Sequence, residues 1–163
     1  MRNFQQIAST IQTHKKRLIA FLEEHFDESE LPEELQALPT IWKEKILIVD
    51  DIESTRELFT TVLENLGTVE TAANGQEALE KVRDSFFDVI LSDVEMPIMN
   101  GAVFFQKAVE FDPDITRHFI FCSGRITHDI VDLCSEYDLM LLEKPVRINQ
   151  LSEAVQAVLD KTD

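Results

Sequence analysis

Asp93 stands just past the run Phe86-Phe87-Asp88-Val89-Ile90-Leu91-Ser92 and just before Met96-Pro97 and Asn100-Gly101. Val89, Ile90 and Leu91 in succession read as a strand buried on both faces, and Pro97 cannot continue it because proline lacks the ladder donor. Asp93 is therefore placed at the carboxyl end of a central strand. Three further strand-like runs end in polar residues: Ile46 to Val49 in Asp50-Asp51, Phe119 to Cys122 in Ser123-Gly124, and Met140 to Leu142 in Glu143-Lys144-Pro145. Three carboxylates on neighbouring strand tips repel one another unless a cation lies between them. Asp50, Asp51 and Asp93 would form an all-oxygen site suited to Mg²⁺, which prefers such ligands at about 2.0–2.1 Å and keeps several waters. A carboxylate beside Mg²⁺ and Lys144 is placed to attack an incoming phosphoryl group, whose oxygens the metal and the ammonium would stabilise. Ser123 and the Gly124 amide could donate to a third oxygen. A purely structural arrangement, with Lys144 paired to Asp93 and Asp50-Asp51 capping a helix, explains each residue singly but not their convergence.

The elements that must position these residues alternate from Lys45 onward, the pattern of a parallel sheet built from βα units. After Ile46–Val49, Ser54 and Glu57 predict a capping box for a helix to about Leu66, stopped by Gly67. A second strand spans Thr68–Ala72. Asn74 and Glu77 repeat the cap signature for a helix through Val82. The central strand Asp88–Ser92 is followed by a helix from about Ala102 to Glu110. The fourth strand, Phe119–Cys122, leads to a helix over Thr127–Tyr137. The fifth strand, Met140–Leu142, leads to a helix over Gln150–Leu159. Right-handed crossovers bring all the strand tips to one edge of the sheet.

The chain of 163 residues is long enough for one domain and an extension. Its formal charge of −16 argues against nucleic acid or an anionic membrane as a direct partner. Cys122 and Cys134 lack metal-ligand spacing and read as small buried hydrophobes. No run near the amino terminus is long enough for a signal-peptide core or a span, so a cytoplasmic protein is expected. Residues 1–44 form an extension distinct from a domain at 45–163. In it Phe4, Ile7, Ile11, Leu18, Phe21, Leu22 and Phe26 share a helical face. That spacing also suits a short coiled-coil seam, which leaves room for a homodimer. His14, beside Lys15-Lys16-Arg17, reads as an ordinary helix residue. Asp27 to Trp42, with Pro32 and Pro39, reads as an acidic linker that docks through Leu31, Leu35, Leu38 and Trp42.

Residues 45–161 resemble the receiver domain of two-component response regulators. The resemblance is carried by Ile48-Val49-Asp50-Asp51, by Asp93-x-x-Met96-Pro97-x-Met99-Asn100-Gly101, by Ser123-Gly124 and by Lys144-Pro145. It implies a flavodoxin-like, doubly wound sheet of five parallel strands in the order 2-1-3-4-5, with helices on both faces. It implies that Asp93 accepts a phosphoryl group from a histidine kinase or a histidine phosphotransfer protein. Asp51, Asp93 and the Glu95 carbonyl would bind Mg²⁺ directly and Asp50 through water, while Ser123 and Lys144 contact the phosphoryl group.

Leu141 departs from this pattern, because receivers often carry Tyr or Phe three residues before the lysine. Glu95 and Arg125 would flank the mouth of the site and pair across it, hindering the water that hydrolyses the acyl phosphate. The chain closes with Lys161-Thr162-Asp163, so output is expected through contact with a downstream protein, through phosphoryl relay or through the N-terminal segment. A receiver cut from a hybrid kinase would look the same. Two other classes compete. A haloacid dehalogenase-like phosphatase would separate its two aspartates by one residue, whereas Asp50 and Asp51 are adjacent. A receiver-like module that is never phosphorylated would usually have lost the acceptor or the lysine, and both are present. Self-catalysed phosphorylation and dephosphorylation, rather than turnover as an enzyme, is the expected activity.

Overall fold

The computed structural model describes residues 4–27 and 43–161, the side chains of 4–13 and of 16 excepted. A helix, α1 (Phe4–His25), precedes a strict alternation. The first units are β1 (Lys45–Val49), α2 (Glu53–Leu63), β2 (Thr68–Ala72), α3 (Gly75–Asp84), β3 (Val89–Ser92) and α4 (Gly101–Phe111). A 3₁₀ turn at Pro113–His118 leads to β4 (Phe119–Ser123), α5 (His128–Tyr137), β5 (Met140–Glu143) and α6 (Ile148–Lys161). All strand pairs are parallel, in the order β2-β1-β3-β4-β5. The expected doubly wound sheet is thus present. Strand order reverses between β1 and β3, where such sheets place their sites.

Side-chain alternation along the central strands fills two cores. Leu47, Val49, Ile90, Phe119 and Phe121 face α3 and α4, where Phe104 and Phe105 are fully buried. Ile46, Ile48, Val89, Leu91, Ile120 and Cys122 face Phe59 and Leu63 of α2 and Leu151, Val155 and Val158 of α6. The first core is aromatic: the Phe105 ring lies 4.9 Å from Phe119, 5.7 Å from Phe121 and 5.1 Å from Tyr137, with edge-to-face geometry.

The capping signals fare unevenly. The Asn74 side chain accepts from the Glu77 amide at 2.9 Å while Glu77 accepts from the Ala73 amide at 3.0 Å. Asn100 and Thr127 cap α4 and α5 without the return bond, accepting from the Val103 and Ile130 amides. The box expected from Ser54 and Glu57 does not form. Helix α2 starts at Glu53 with Ile52 as its cap residue and no side-chain cap. The physical reason lies upstream, where the Asp50 carboxylate takes the Ile52 amide at 2.9 Å and fixes the turn. Gly67 is likewise not a left-handed helix stop, since no glycine has positive φ. Helix α2 has already ended at Leu63, and a Cβ at Gly67 would collide with the Glu44 carbonyl.

The stripe expected on α1 is split. Lys15 is buried and donates to the Lys43 carbonyl at 3.4 Å, and Ile19 and Leu22 are half-buried. Leu18, Phe21 and Phe26 stay exposed. The linker expected to dock through Leu31, Leu35, Leu38 and Trp42 lies outside the described residues. Among the described residues no helix is long and apolar enough to cross a membrane.

Phe105 touches three other rings from a fully buried position. Phe105→Ala should therefore cost about 3–5 kcal/mol, the range for removing a buried Phe, read from the urea midpoint at unchanged slope.

Candidate functional site

The parallel ladder runs one residue past the strand ends and so aligns the site. The amide of Asp50 bonds to the Ala72 carbonyl at 3.1 Å, that of Asp93 to Val49 at 2.8 Å and that of Lys144 to Ser123 at 2.9 Å. With Val49 opposite Ser92 and Ser123 opposite Glu143, the four strand tips reach one edge. Asp50 and Asp93 are buried, Ser123 is wholly buried and Asp51 is exposed. One oxygen from each of Asp50, Asp51 and Asp93 lies within 4.8 Å of the others.

A single ammonium answers this cluster. Lys144 Nζ lies 2.5 Å from Asp50 Oδ2 and 3.2 Å from Asp93 Oδ2. The other oxygen of each carboxylate takes a backbone amide: Asp93 Oδ1 accepts from Val94 at 2.7 Å, Asp50 Oδ1 from Ile52. Burial raises the Asp93 pKa above the usual carboxylate value and the Asp50 charge adds to it, outweighing the charge of Lys144 and the Lys144 and Val94 hydrogen bonds. Burial alone would lower Lys144, but its hydrogen bond to Asp50 and the two carboxylate charges hold it above the ordinary lysine value. The cluster has more negative charge than Lys144 can offset, and its donors are all hard oxygens. That combination fits a divalent cation such as Mg²⁺.

The loops complete the site. A Cβ at Gly101 would strike the Asp93 carbonyl, and the Gly101 amide bonds to the Val94 carbonyl at 2.8 Å, so only glycine lets α4 begin this close to the loop after Asp93. Ile98 in the same loop has φ 71° and is 82% exposed. Ser123 Oγ is turned into its own loop, donating to the Arg125 carbonyl at 2.9 Å and accepting from the Arg125 amide at 3.2 Å. A Cβ on Gly124 would meet nothing within 4 Å, so the space beside it is open. Arg125 Nη1 lies 3.8 Å from Glu95 Oε1, joining the loops after β3 and β4 as the sequence suggested, with both side chains more than half exposed. Leu141 pairs in register with Phe121 and packs against the aromatic core. Cys122 is buried one residue before Ser123, and burial pushes its thiol up to about 12.

Two features carried no signal in the sequence. Asp50, rather than Asp93, is the nearer partner of Lys144. Arg56 Nη1 donates to the Asp50 carbonyl at 2.7 Å; a backbone acceptor leaves no pattern of residue types to read.

A family model described as the response regulator receiver domain matches residues 46–156. The chain is 34% identical over 117 residues to the autoinducer 1 sensor kinase/phosphatase LuxN of Vibrio campbellii, a match covering 71% of this chain and 14% of that kinase. The receiver domain protein (CheY-like) of Methanospirillum hungatei superposes with a TM-score of 0.68 at 28% identity, over 74% of this chain and 96% of that one. Response regulator TrrA of Thermotoga maritima, solved in complex with Mg²⁺-BeF, gives a TM-score of 0.62 at 29% identity, over 71% of this chain and 99% of that one. The chain belongs to the response regulator receiver family, the phospho-accepting modules of two-component signalling. The phosphatase and binding-only alternatives gain no support from these matches.

The raised Asp93 pKa has a consequence for stability. Ionised Asp93 is held less favourably in the fold than in the open chain, a penalty present at neutral pH and lost as pH falls through its folded value towards the ordinary one. In Mg²⁺-free buffer at pH 7, Asp93→Asn should unfold at a higher temperature than the unsubstituted chain. The gap should close as the scans are repeated at lower pH.

Proposed function

We propose that Asp93 is the phosphoryl acceptor, with Mg²⁺ held by Asp51, Asp93 and the Glu95 carbonyl. The observation that carries this reading is the convergence of three carboxylates within 4.8 Å of one another, two of them held by one partly buried ammonium. Asp50 holds Lys144 more closely than Asp93 does, at 2.5 Å against 3.2 Å, with the Ile52 amide on its other oxygen, which favours its acting on the metal through water. The bound cation would neutralise the carboxylates and draw charge from the phosphoryl oxygens.

The Asp93 carboxylate attacks phosphorus as the bond to the donor atom breaks and the donor keeps the electron pair. Val94 holds one carboxylate oxygen throughout, which fixes the direction of attack. Lys144 moves from its two carboxylates onto a phosphoryl oxygen. Ser123 reaches another only by releasing the Arg125 backbone, so occupancy of the site is passed to the loop after β4. Leu141 offers no aromatic ring to follow that movement. The chain's own residues thus catalyse its phosphorylation and dephosphorylation, and no separate substrate is turned over.

The donor is a histidine kinase or a histidine phosphotransfer protein, in keeping with the sensor kinase match. Ile52, Ile98 and Ile148 are 52%, 82% and 63% exposed in segments that leave the site-bearing edge, and they give a protein donor apolar contacts around the acceptor. Output passes to a downstream protein by contact, and a cytoplasmic setting suits both exchanges.

Incubation with a small acyl phosphate should add one phosphoryl group by intact mass, only with Mg²⁺ present and not in Asp93→Asn. A wild-type chain that gains none under any donor, or an Asp93→Asn chain that still gains one, would sink this assignment.

The Glu95–Arg125 pair is too exposed to stabilise the fold much, and its role is to hinder water. Arg125→Ala should leave the unfolding midpoint within about 0.5 kcal/mol of wild type while shortening the phosphoryl lifetime several-fold. An unchanged decay rate of the phosphorylated species would refute that role.

A further inference from the structure

Helix α1 presents two unlike faces. Lys15 and Ile19 turn towards the domain, where Ile19 borders a crevice of about 270 Å³ with Lys43, Glu64, Leu66 and Gly67. Lys43 precedes β1 and Gly67 precedes β2, so this contact lies at the amino edge of the sheet, opposite Asp93. On the other face Leu18 and Phe21 are 41% and 51% exposed. His25 stacks on Phe21 with ring centres 4.3 Å apart and its Nδ1 2.9 Å from the Phe21 carbonyl, which widens the exposed aromatic surface.

The exposed face has the spacing of a seam. From Phe4, the positions Ile7, Ile11, His14, Leu18, Phe21 and His25 follow at alternating steps of three and four. This is the 3.5-residue repeat by which one helix meets another along its length. Every seam residue whose side chain is described, from His14 to His25, is exposed. Among the described residues, the seam from His14 to His25 is therefore left uncovered by the domain.

We propose that the part of this seam from His14 to His25 pairs, antiparallel, with the same part of a second copy of this chain. Charge selects both the occupant and the direction. Arg17 and Glu24, both exposed, flank the seam at the same position of successive heptads. When Leu18 lies against Phe21 of the second copy, Arg17 faces Glu24 of the second copy. The two-fold axis then makes the same pair again, as a self-complementary interface requires. A parallel pairing would set Arg17 near its own copy and Glu24 near its own copy, opposing like charges at both positions. The antiparallel seam leaves both Asp93 sites, at the far edge of each sheet, open to a donor.

Sedimentation equilibrium of the full chain over a range of concentrations tests this. Wild type should move from one to two chains per particle as concentration rises, and Phe21→Glu should stay monomeric. Arg17→Glu alone should raise the dissociation constant by roughly tenfold, since two attractive pairs become repulsive. Arg17→Glu with Glu24→Arg should restore it. Equal thermal unfolding of the receiver in all variants, by circular dichroism, would show that the fold is intact. A wild-type chain that is monomeric at every concentration overturns the proposal, as does a dimer that survives Phe21→Glu. A dimer that Arg17→Glu strengthens, or that the double exchange does not rescue, overturns the antiparallel pairing.

Discussion

The site depends on one ammonium placed between two buried carboxylates. Lys144 reaches Asp50 and Asp93 from β5, across β4 and β3, because β1, β3, β4 and β5 all end at one edge of the sheet, where the amides of Asp50, Asp93 and Lys144 carry the ladder one residue further. Without that cation the two buried aspartates would be held against each other with only backbone amides in compensation, which is costly inside a protein. With it, the arrangement is held together yet remains short of positive charge. The surplus negative charge is what makes the pocket receptive to a divalent ion. In the proposed reaction the same lysine, held by its two carboxylates, leaves them for a phosphoryl oxygen.

The sheet supplies rigidity where the loops supply chemistry. Fully buried Ile48, Leu91 and Ile120 pin the strands from one side and Phe104, Phe105 and Phe121 from the other. The residues that must move or be approached lie just past this double core. Ser123 shows the division: its backbone belongs to β4, but its hydroxyl is spent on the Arg125 backbone in the loop.

Much of this was legible in the sequence because it rests on short-range rules. Consecutive apolar residues at Val89-Ile90-Leu91 and Ile46 to Val49 announced buried parallel strands, and polar residues after four of the five strands announced the edge at which they meet. The residue types at those tips were enough to name the ion class. What was not legible depends on competition between partners in space. Ser54 and Glu57 look like a cap, but Asp50 had already fixed the turn through the Ile52 amide. Gly67 looks like a helix stop, but the carbonyl it accommodates belongs to Glu44, 23 residues earlier in the chain. The apolar stripe of α1 was visible, but which part of it faces the domain was not, because that turns on Lys15 being drawn to the Lys43 carbonyl.

Cys122 gives the site a chemical insulation. It is adjacent in sequence to Ser123 and shares the neighbourhood of Asp50, Asp93 and Lys144, yet burial keeps its sulfur protonated. Oxidants and electrophiles act on the thiolate, so burial shields the cysteine at the base of this site from them. The thiol and the carboxylate–ammonium cluster are thus kept apart by polarity over the width of a single strand.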